Sequence, residues 1–133
     1  MTALETEFIL YVANQAQSRD FYAYVLELEP VLDVPGITEF ALAPQVKLGL
    51  MPESGIARLL QPATPHPATG AGIPRCELYW LLPNAEGVFT RALQAGATMV
   101  SPFLPRDWGH TVGYAADADG HILAFAQATA PPA

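Results

Sequence analysis

Two glutamates stand at matching points of two similar stretches of the chain. Glu7 begins the run Glu-Phe-Ile-Leu-Tyr-Val-Ala-Asn, and Glu77 begins the run Glu-Leu-Tyr-Trp-Leu-Leu-Pro-Asn, 70 positions later. Two carboxylates at equivalent places in one cleft favour a cationic or hydroxyl-bearing ligand. The alternative is that both are solvated strand ends, since glutamate is rarely buried without a partner.

Alternation along strands predicts which residues accompany these carboxylates. Glu7 shares a face with Tyr11, and Glu77 shares a face with Tyr79, whereas Phe8, Leu10 and Val12 form an apolar face that packs under a helix. In the 106–110 loop a tryptophan can stack on a flat ligand and an arginine can meet an anion. The alternative is a turn whose tryptophan covers a sheet edge. The predicted ligand-binding residues are Glu7, Tyr11, Lys47, Gly49, Met51, Glu77, Tyr79, Arg106, Trp108 and His110.

The elements that position these residues occur twice. Each strand-like run ends in an asparagine, a good helix N-cap, and leads into an amphipathic segment. Three strand candidates separated by Gly, Pro and Asp turns follow each helix. The pattern predicts an α+β fold of two tandem βαβββ modules, with curved mixed sheets that form a cleft and helices on the outside. The predicted helices are 15–27 and 85–95, and the predicted strands after them are 29–34, 38–43, 46–51, 98–104, 110–116 and 121–127.

Length and composition limit the remaining possibilities. The 133 residues predict one domain, 1–133, with module one at 5–60, an extended linker at 61–74, module two at 75–127 and a frayed tail at 128–133. A net charge of −7 disfavours nucleic acid. No apolar run is long enough to cross a membrane, and the first residues lack signal-peptide features, so we expect a cytoplasmic protein. The one cysteine, Cys76, excludes an intrachain disulfide and is more typical of a strand residue than of a nucleophile.

Further motifs complete a recognisable pattern. They are Phe21-Tyr22 in the first helix, the run Lys47-Leu-Gly-Leu-Met51, the helix exit Ala95-Gly96-Ala97, Trp108-Gly109, and Asp117-Ala-Asp-Gly-His121. In this order and spacing, and over nearly the whole chain, the sequence resembles the vicinal oxygen chelate superfamily, which includes glyoxalase I, extradiol dioxygenases and bleomycin-resistance proteins. Within it, the chain looks like the glyoxalase/bleomycin-resistance-like group.

The resemblance implies four places for metal ligands, one on the first and one on the last strand of each module. In this chain they fall on Glu7, Gly49, Glu77 and Ala124. Only the two glutamates can coordinate an ion, and neither His110 nor His121 falls on one of the four places. We therefore predict that the family's usual metal site is absent and that no cofactor is needed, although a divalent metal stays possible. An extradiol dioxygenase, which uses two histidines and one carboxylate, is disfavoured.

The sequence thus predicts a protein that binds a small organic ligand in the cleft. The alternative is a metal-dependent lyase or isomerase of the glyoxalase type with an atypical site based on glutamate, in which Glu7 and Glu77 would be the catalytic residues, so whether the chain is an enzyme stays open. The resemblance also implies a homodimer.

Overall fold

The computed structural model describes residues 1–130 and divides the chain into two compact units, residues 1–71 and residues from 72 onward. Each unit holds one four-stranded sheet. The last three residues of the predicted tail, 131–133, lie outside the described residues. No helix within residues 1–130 is long and apolar enough to cross a membrane.

The first unit contains four strands and two helices. They are β1 (Thr6–Val12), α1 (Gln15–Leu26), β2 (Leu32–Val34), β3 (Ile37–Ala43), β4 (Val46–Pro52) and α2 (Glu53–Leu60). The strands lie in the order β1-β4-β3-β2. β1 and β4 are parallel, whereas β3 is antiparallel to both β4 and β2. The first strand of the unit is therefore an edge strand that pairs with the last one.

One face of this sheet packs against α1. The buried layer consists of Leu10, Val12, Phe40, Leu48 and Leu50 from the strands and Tyr22 and Val25 from the helix. Each fully buried side chain of this size contributes roughly 1.5–3 kcal/mol to stability. Phe8 was expected in the same layer but is 57% exposed. The reason is that α1 packs chiefly over β3 and β4, so the start of the edge strand lies uncovered.

The second unit repeats this plan. Its elements are β5 (Glu77–Leu81), α3 (Ala85–Gln94), β6 (Thr98–Pro105), β7 (His110–Ala116) and β8 (Ile122–Ala128). The strand order is β5-β8-β7-β6, with β5 and β8 parallel and the other pairs antiparallel. α3 packs on β7 and β8, where a Cβ on Gly113 would lie 2.7 Å from the Phe89 ring. The glycine therefore sets how closely helix and sheet approach.

The two equivalent helices begin differently. The Asn14 side chain accepts a hydrogen bond from the Gln17 backbone N–H at 2.9 Å, which satisfies one free donor of the first turn of α1. Asn84 makes no such bond at the start of α3. There the side-chain oxygen of Gln127 accepts from the Ala85 N–H at 3.2 Å. A tertiary contact thus replaces the predicted local cap.

The predicted fold class, α+β with two βαβββ modules, is confirmed by these elements. The segment 61–74, expected to be an extended linker, instead holds one turn of 3₁₀ helix at Pro67–Gly70. Proline at the start of the turn fixes its φ angle, and His66 Nδ1 accepts the Ala68 N–H at 3.1 Å. The turn packs on α2, the helix that follows β4.

Candidate functional site

The face of the first sheet opposite the α1-packed layer carries the first unit's predicted residues. Glu7 pairs with Lys47, Ile9 with Gly49, and Tyr11 with Met51. Because paired residues in a sheet point to the same side, these side chains form one surface. The first unit's predicted ligand-binding residues, Glu7, Tyr11, Lys47, Gly49 and Met51, therefore lie together, and β3 adds Glu39 beside Gly49.

Because Gly49 has no side chain, the carboxyl groups of Glu7 and Glu39 can approach each other across β4; this contact is called the bridge below. A Cβ on Gly49 would lie 3.1 Å from Glu7 Oε2, so the Glu7 side chain folds over the backbone of β4. On the far side of β4 it meets Glu39, to which it is hydrogen-bonded. Burial, this hydrogen bond and the negative charge of Glu39 raise the pKa of Glu7 to about 7. Near neutral pH a substantial fraction of Glu7 is therefore protonated.

Lys47 lies next to these carboxyl groups and forms ion pairs with two glutamates. Its Nζ lies 2.8 Å from Glu5 Oε1 and 3.6 Å from Glu39 Oε1. The hydrogen bond to Glu5 and the charges of Glu39 and Glu5 raise the pKa of Lys47 above its usual value, against the effect of burial. The lysine is thus the internal counterion of this acidic face.

Glu39 was not among the predicted site residues. The sequence signal that could have found it is its alternation with buried Thr38 and Phe40 in β3, which places a carboxylate on the face away from the helix. Its proximity to Glu7 could be found only from the pairing register of β3 with β4, in which Glu39 lies opposite Gly49.

On the equivalent face of the second sheet, the side chains differ from those of the first unit. Ala124 on β8 lies between Tyr79 on β5 and Tyr114 on β7, just as Gly49 lies between Ile9 and Glu39. Glu77 starts β5 and is exposed. Burial and the nearby Glu77 and Tyr79 raise the pKa of Tyr114, so its phenol stays neutral. Aromatic rings thus take the places that charged and aliphatic groups hold in the first unit.

Three of the predicted residues form an aromatic triad, Tyr79, Trp108 and His110. The Trp108 indole N–H donates to the Tyr79 hydroxyl oxygen at 2.8 Å, and that hydroxyl lies 2.6 Å from His110 Nδ1. The ring centroids of Tyr79 and His110 are 5.8 Å apart. Gly109 has φ +89°, a conformation that favours glycine, and so allows the sharp turn between the other two members.

The Arg106 side chain is hydrogen-bonded to residues of the β6–β7 hairpin, in which it lies. Its guanidinium donates to Ser101 Oγ at 3.0 Å and to the carbonyl oxygens of Pro102 and Val112 at 2.6 and 2.8 Å. It also lies 5.2 Å from the centre of the Tyr114 ring. These contacts hold the β6–β7 turn and orient Tyr114, and they compete with the predicted contact to an anion.

A separate group of polar side chains lies in the turn before β8. Ligand atoms of Asp117, Asp119 and His121 lie within 4.8 Å of one another, and all three residues are buried. Asp117 Oδ1 accepts the backbone N–H groups of Asp119 and His121, a pattern that closes the turn. His121 Nδ1 also lies 3.6 Å from Cys76 Sγ. Burial and the negative charge of Asp117 raise the pKa of the Cys76 thiol. The raised pKa disfavours the thiolate, which is the nucleophilic form of cysteine.

The four places that the resemblance assigns to a metal do not fit one in this chain. Gly49 has no side chain, and Ala124 offers a fully buried methyl group. The raised pKa of Glu7 beside Glu39 means that a proton competes with an ion for this carboxyl near neutral pH. Glu77 alone would be a single exposed ligand.

Comparisons with known proteins agree with this architecture. The structure is similar to that of a glyoxalase-related enzyme from Fulvimarina pelagi, with a TM-score of 0.79 and 20% identity over 96% of this chain and 88% of that one. It is also similar to a glyoxalase/bleomycin resistance protein/dioxygenase from Nocardioides, with a TM-score of 0.76 and 18% identity over 99% of this chain and 87% of that one. A third relative, protein ATC0852 from Agrobacterium tumefaciens, is 26% identical, with a TM-score of 0.74 and coverage of 98% and 100%.

A search of curated protein sequences found no significant match. The profile of the Glyoxalase/Bleomycin resistance protein/Dioxygenase superfamily matches residues 6–125, which span both units. The chain therefore belongs to the glyoxalase/bleomycin resistance protein/dioxygenase superfamily.

Proposed function

We propose that this protein binds a small organic ligand on its sheet faces without the metal ion of the metal-dependent members of its superfamily. The observation that carries the proposal is the bridge between Glu7 and Glu39 over Gly49. It places two carboxyl groups side by side at Gly49, one of the first unit's metal-ligand places, and near neutral pH a proton competes for Glu7. A metal ion there would have to displace that proton and find further ligands.

The composition of both faces supports an organic ligand. The first unit offers apolar Ile9 and half-buried Tyr11 and Met51 around its charged group. The second unit offers the aromatic triad above the small residue Ala124. Apolar and aromatic surface with a few polar groups is typical of sites for small organic molecules.

Metal analysis tests the proposal directly. The protein is purified without chelator and its metal content is measured. Ni²⁺, Zn²⁺, Mn²⁺ and Fe²⁺ are then titrated while the melting temperature is followed. We expect far less than one metal per chain and no shift that depends on Glu7. A library of small aromatic and cationic compounds, screened in the presence of chelator, should contain compounds that raise the melting temperature.

Two variants separate the possible outcomes. Stoichiometric metal that Glu7→Gln removes would contradict the proposal and favour the metal-dependent lyase or isomerase. Metal that survives Glu7→Gln but is lost in Asp119→Asn would lie in the turn before β8 and would leave the proposal intact. Glu77→Gln removes the other glutamate at an assigned ligand place, and stoichiometric metal lost in this variant would likewise contradict the proposal.

The assembly and location of the protein are further parts of the proposal. We propose a homodimer and a cytoplasmic location, the first because of the resemblance to the superfamily and the second because of the sequence features. Size-exclusion chromatography with light scattering tests the dimer, and fractionation of the source cells tests the location.

A further inference from the structure

Strand β2 is the edge of the first sheet, and among residues 1–130 it pairs only with β3. All three of its residues are exposed. The unpaired backbone groups of an exposed edge can pair with a further strand, and some protein domains bind extended peptides in this way. The equivalent edge strand β6 is protected, because it contains Pro102 and Pro105 and its register with β7 shifts twice. β2 has neither feature.

Hydrogen bonds from α1 and β3 hold this edge in place. Gln15 Nε2 donates to the Val34 carbonyl oxygen at 2.8 Å and to Thr38 Oγ1 at 2.9 Å. The Thr38 hydroxyl donates to Asp33 Oδ1 at 2.8 Å, and Arg19 Nη1 donates to Asp33 Oδ2 at 3.1 Å. An edge that is already ordered loses little conformational entropy when a partner binds to it.

The two sides of β2 differ in chemistry. Asp33 points toward α1, since it contacts Arg19 and the buried Thr38. On that side a groove of about 290 Å³ lies between β2 and the start of α1. Because successive strand residues point to opposite sides, Leu32 and Val34, 39% and 44% exposed, point away from α1. A strand added beside β2 would therefore meet a carboxylate on one side and apolar side chains on the other.

The chain around β2 is acidic. Residues 20–46 contain no Lys, Arg or His, and their acidic residues are Asp20, Glu27, Glu29, Asp33 and Glu39. At the groove, the guanidinium of Arg19 is paired with the carboxylates of both Asp20 and Asp33, so these three side chains together keep a net negative charge. Charge complementarity therefore favours a basic partner at this edge.

We propose that β2 binds an extended segment of another protein in which basic and apolar residues alternate. The segment joins the first sheet as a fifth strand, with its basic side chains near Asp33 and its apolar side chains against Leu32 and Val34. A second copy of this chain does not fit, because the basic residues nearest in its sequence, Lys47 and Arg58, are 58 − 47 = 11 positions apart. Two copies would bring like charges together at this edge.

Three peptides with the same side chains test the proposal. The first is a hexapeptide of alternating lysine and valine with blocked ends. The second and third are the same peptide with N-methyl groups on the backbone nitrogens of either the lysines or the valines. In a strand, the N–H groups of alternate residues face the same neighbour, so only one of these two sets would face β2. All three peptides carry the same charge.

Binding is followed by the backbone amide signals in ¹H–¹⁵N spectra. We expect the first peptide to shift the signals of residues 31–34 saturably and those of β6 hardly at all. One methylated peptide should bind at least about tenfold more weakly because its pairing hydrogen bonds are lost, and the other should bind about as well as the first. Glu29→Gln should weaken binding about two- to threefold. Glu86→Gln, which removes the same charge from the exposed surface of α3, should not.

Other outcomes would overturn the inference. If the two methylated peptides bind equally, or if the signals of β2 and β6 shift equally, charge alone attracts the peptide and no strand is added. A first peptide that leaves the signals of residues 31–34 unchanged would also overturn it. None of these results bears on the proposed function, which metal analysis and the compound screen test separately.

Discussion

The bridge between Glu7 and Glu39 makes the stability of the protein depend on pH in an unusual direction. The folded chain holds the pKa of Glu7 at about 7, above the ordinary value of 4.5. Between these pH values the folded state binds a proton that the unfolded state has lost. Stability contributed by this group is therefore fully present below pH 4.5 and is lost as the pH rises to 7.

The size of the effect follows from the pKa. One pKa unit corresponds to about 1.36 kcal/mol, so the full difference would lower stability above pH 7 by at most about 3.4 kcal/mol. Glu7 is partly solvated, and water screens its repulsion with Glu39. We therefore expect a loss of about 1–2 kcal/mol, or roughly 4–7 °C in melting temperature for a chain of this length.

Glu7→Gln isolates the effect because glutamine can keep a hydrogen bond to Glu39 but cannot ionise. The variant should match the wild type in urea unfolding at pH 5 and be about 1–2 kcal/mol more stable at pH 8. Glu77→Gln controls for the general loss of one negative charge. Parallel stability curves of wild type and Glu7→Gln between pH 4.5 and 8 would refute the raised pKa of Glu7.

Three further substitutions test the packing around the site. Gly113→Ala should destabilise the second unit by about 1–3 kcal/mol in urea unfolding, because its Cβ would meet the Phe89 ring at 2.7 Å; a neutral result would mean that the ring can move aside. Asn14→Ala should cost about 1 kcal/mol and Asn84→Ala clearly less, as measured by thermal unfolding, because only Asn14 caps its helix through its side chain. Arg106→Lys should lower the melting temperature almost as much as Arg106→Met, because an ammonium group cannot reproduce the forked contacts to three oxygens.

The repeated pattern of the sequence was sufficient to predict most of the fold. Alternating apolar residues and Gly, Pro and Asp turns placed the strands to within a few residues, and asparagine marked the start of both helices. The strand predicted at 29–34 is shorter, Leu32–Val34, since its exposed edge position gives few residues a pairing partner. The exposure of Phe8 could not be foreseen because it depends on which strands the helix covers.

The candidate site could be predicted only in part. Alternation identified the face that carries Glu7, Lys47 and Gly49, because side-chain direction has a period of two. The partner Glu39 and the hydrogen bonds of the triad depend on register and on loop conformation, which the sequence does not encode locally. What each face binds stays a prediction.

The parallel pairing of first and last strands in each unit has a consequence for how the protein folds. Neighbouring strands of the β2–β3–β4 meander pair across short turns, whereas Glu7 must find Lys47 across 40 positions of chain. Closing so long a loop costs more entropy, so we expect the meander to form first and β1 to dock last. Pulsed hydrogen exchange during refolding should protect β3 and β4 before β1. Glu7 and Glu39 would then become neighbours only in the final step of folding, and likewise Tyr79 and His110 in the second unit.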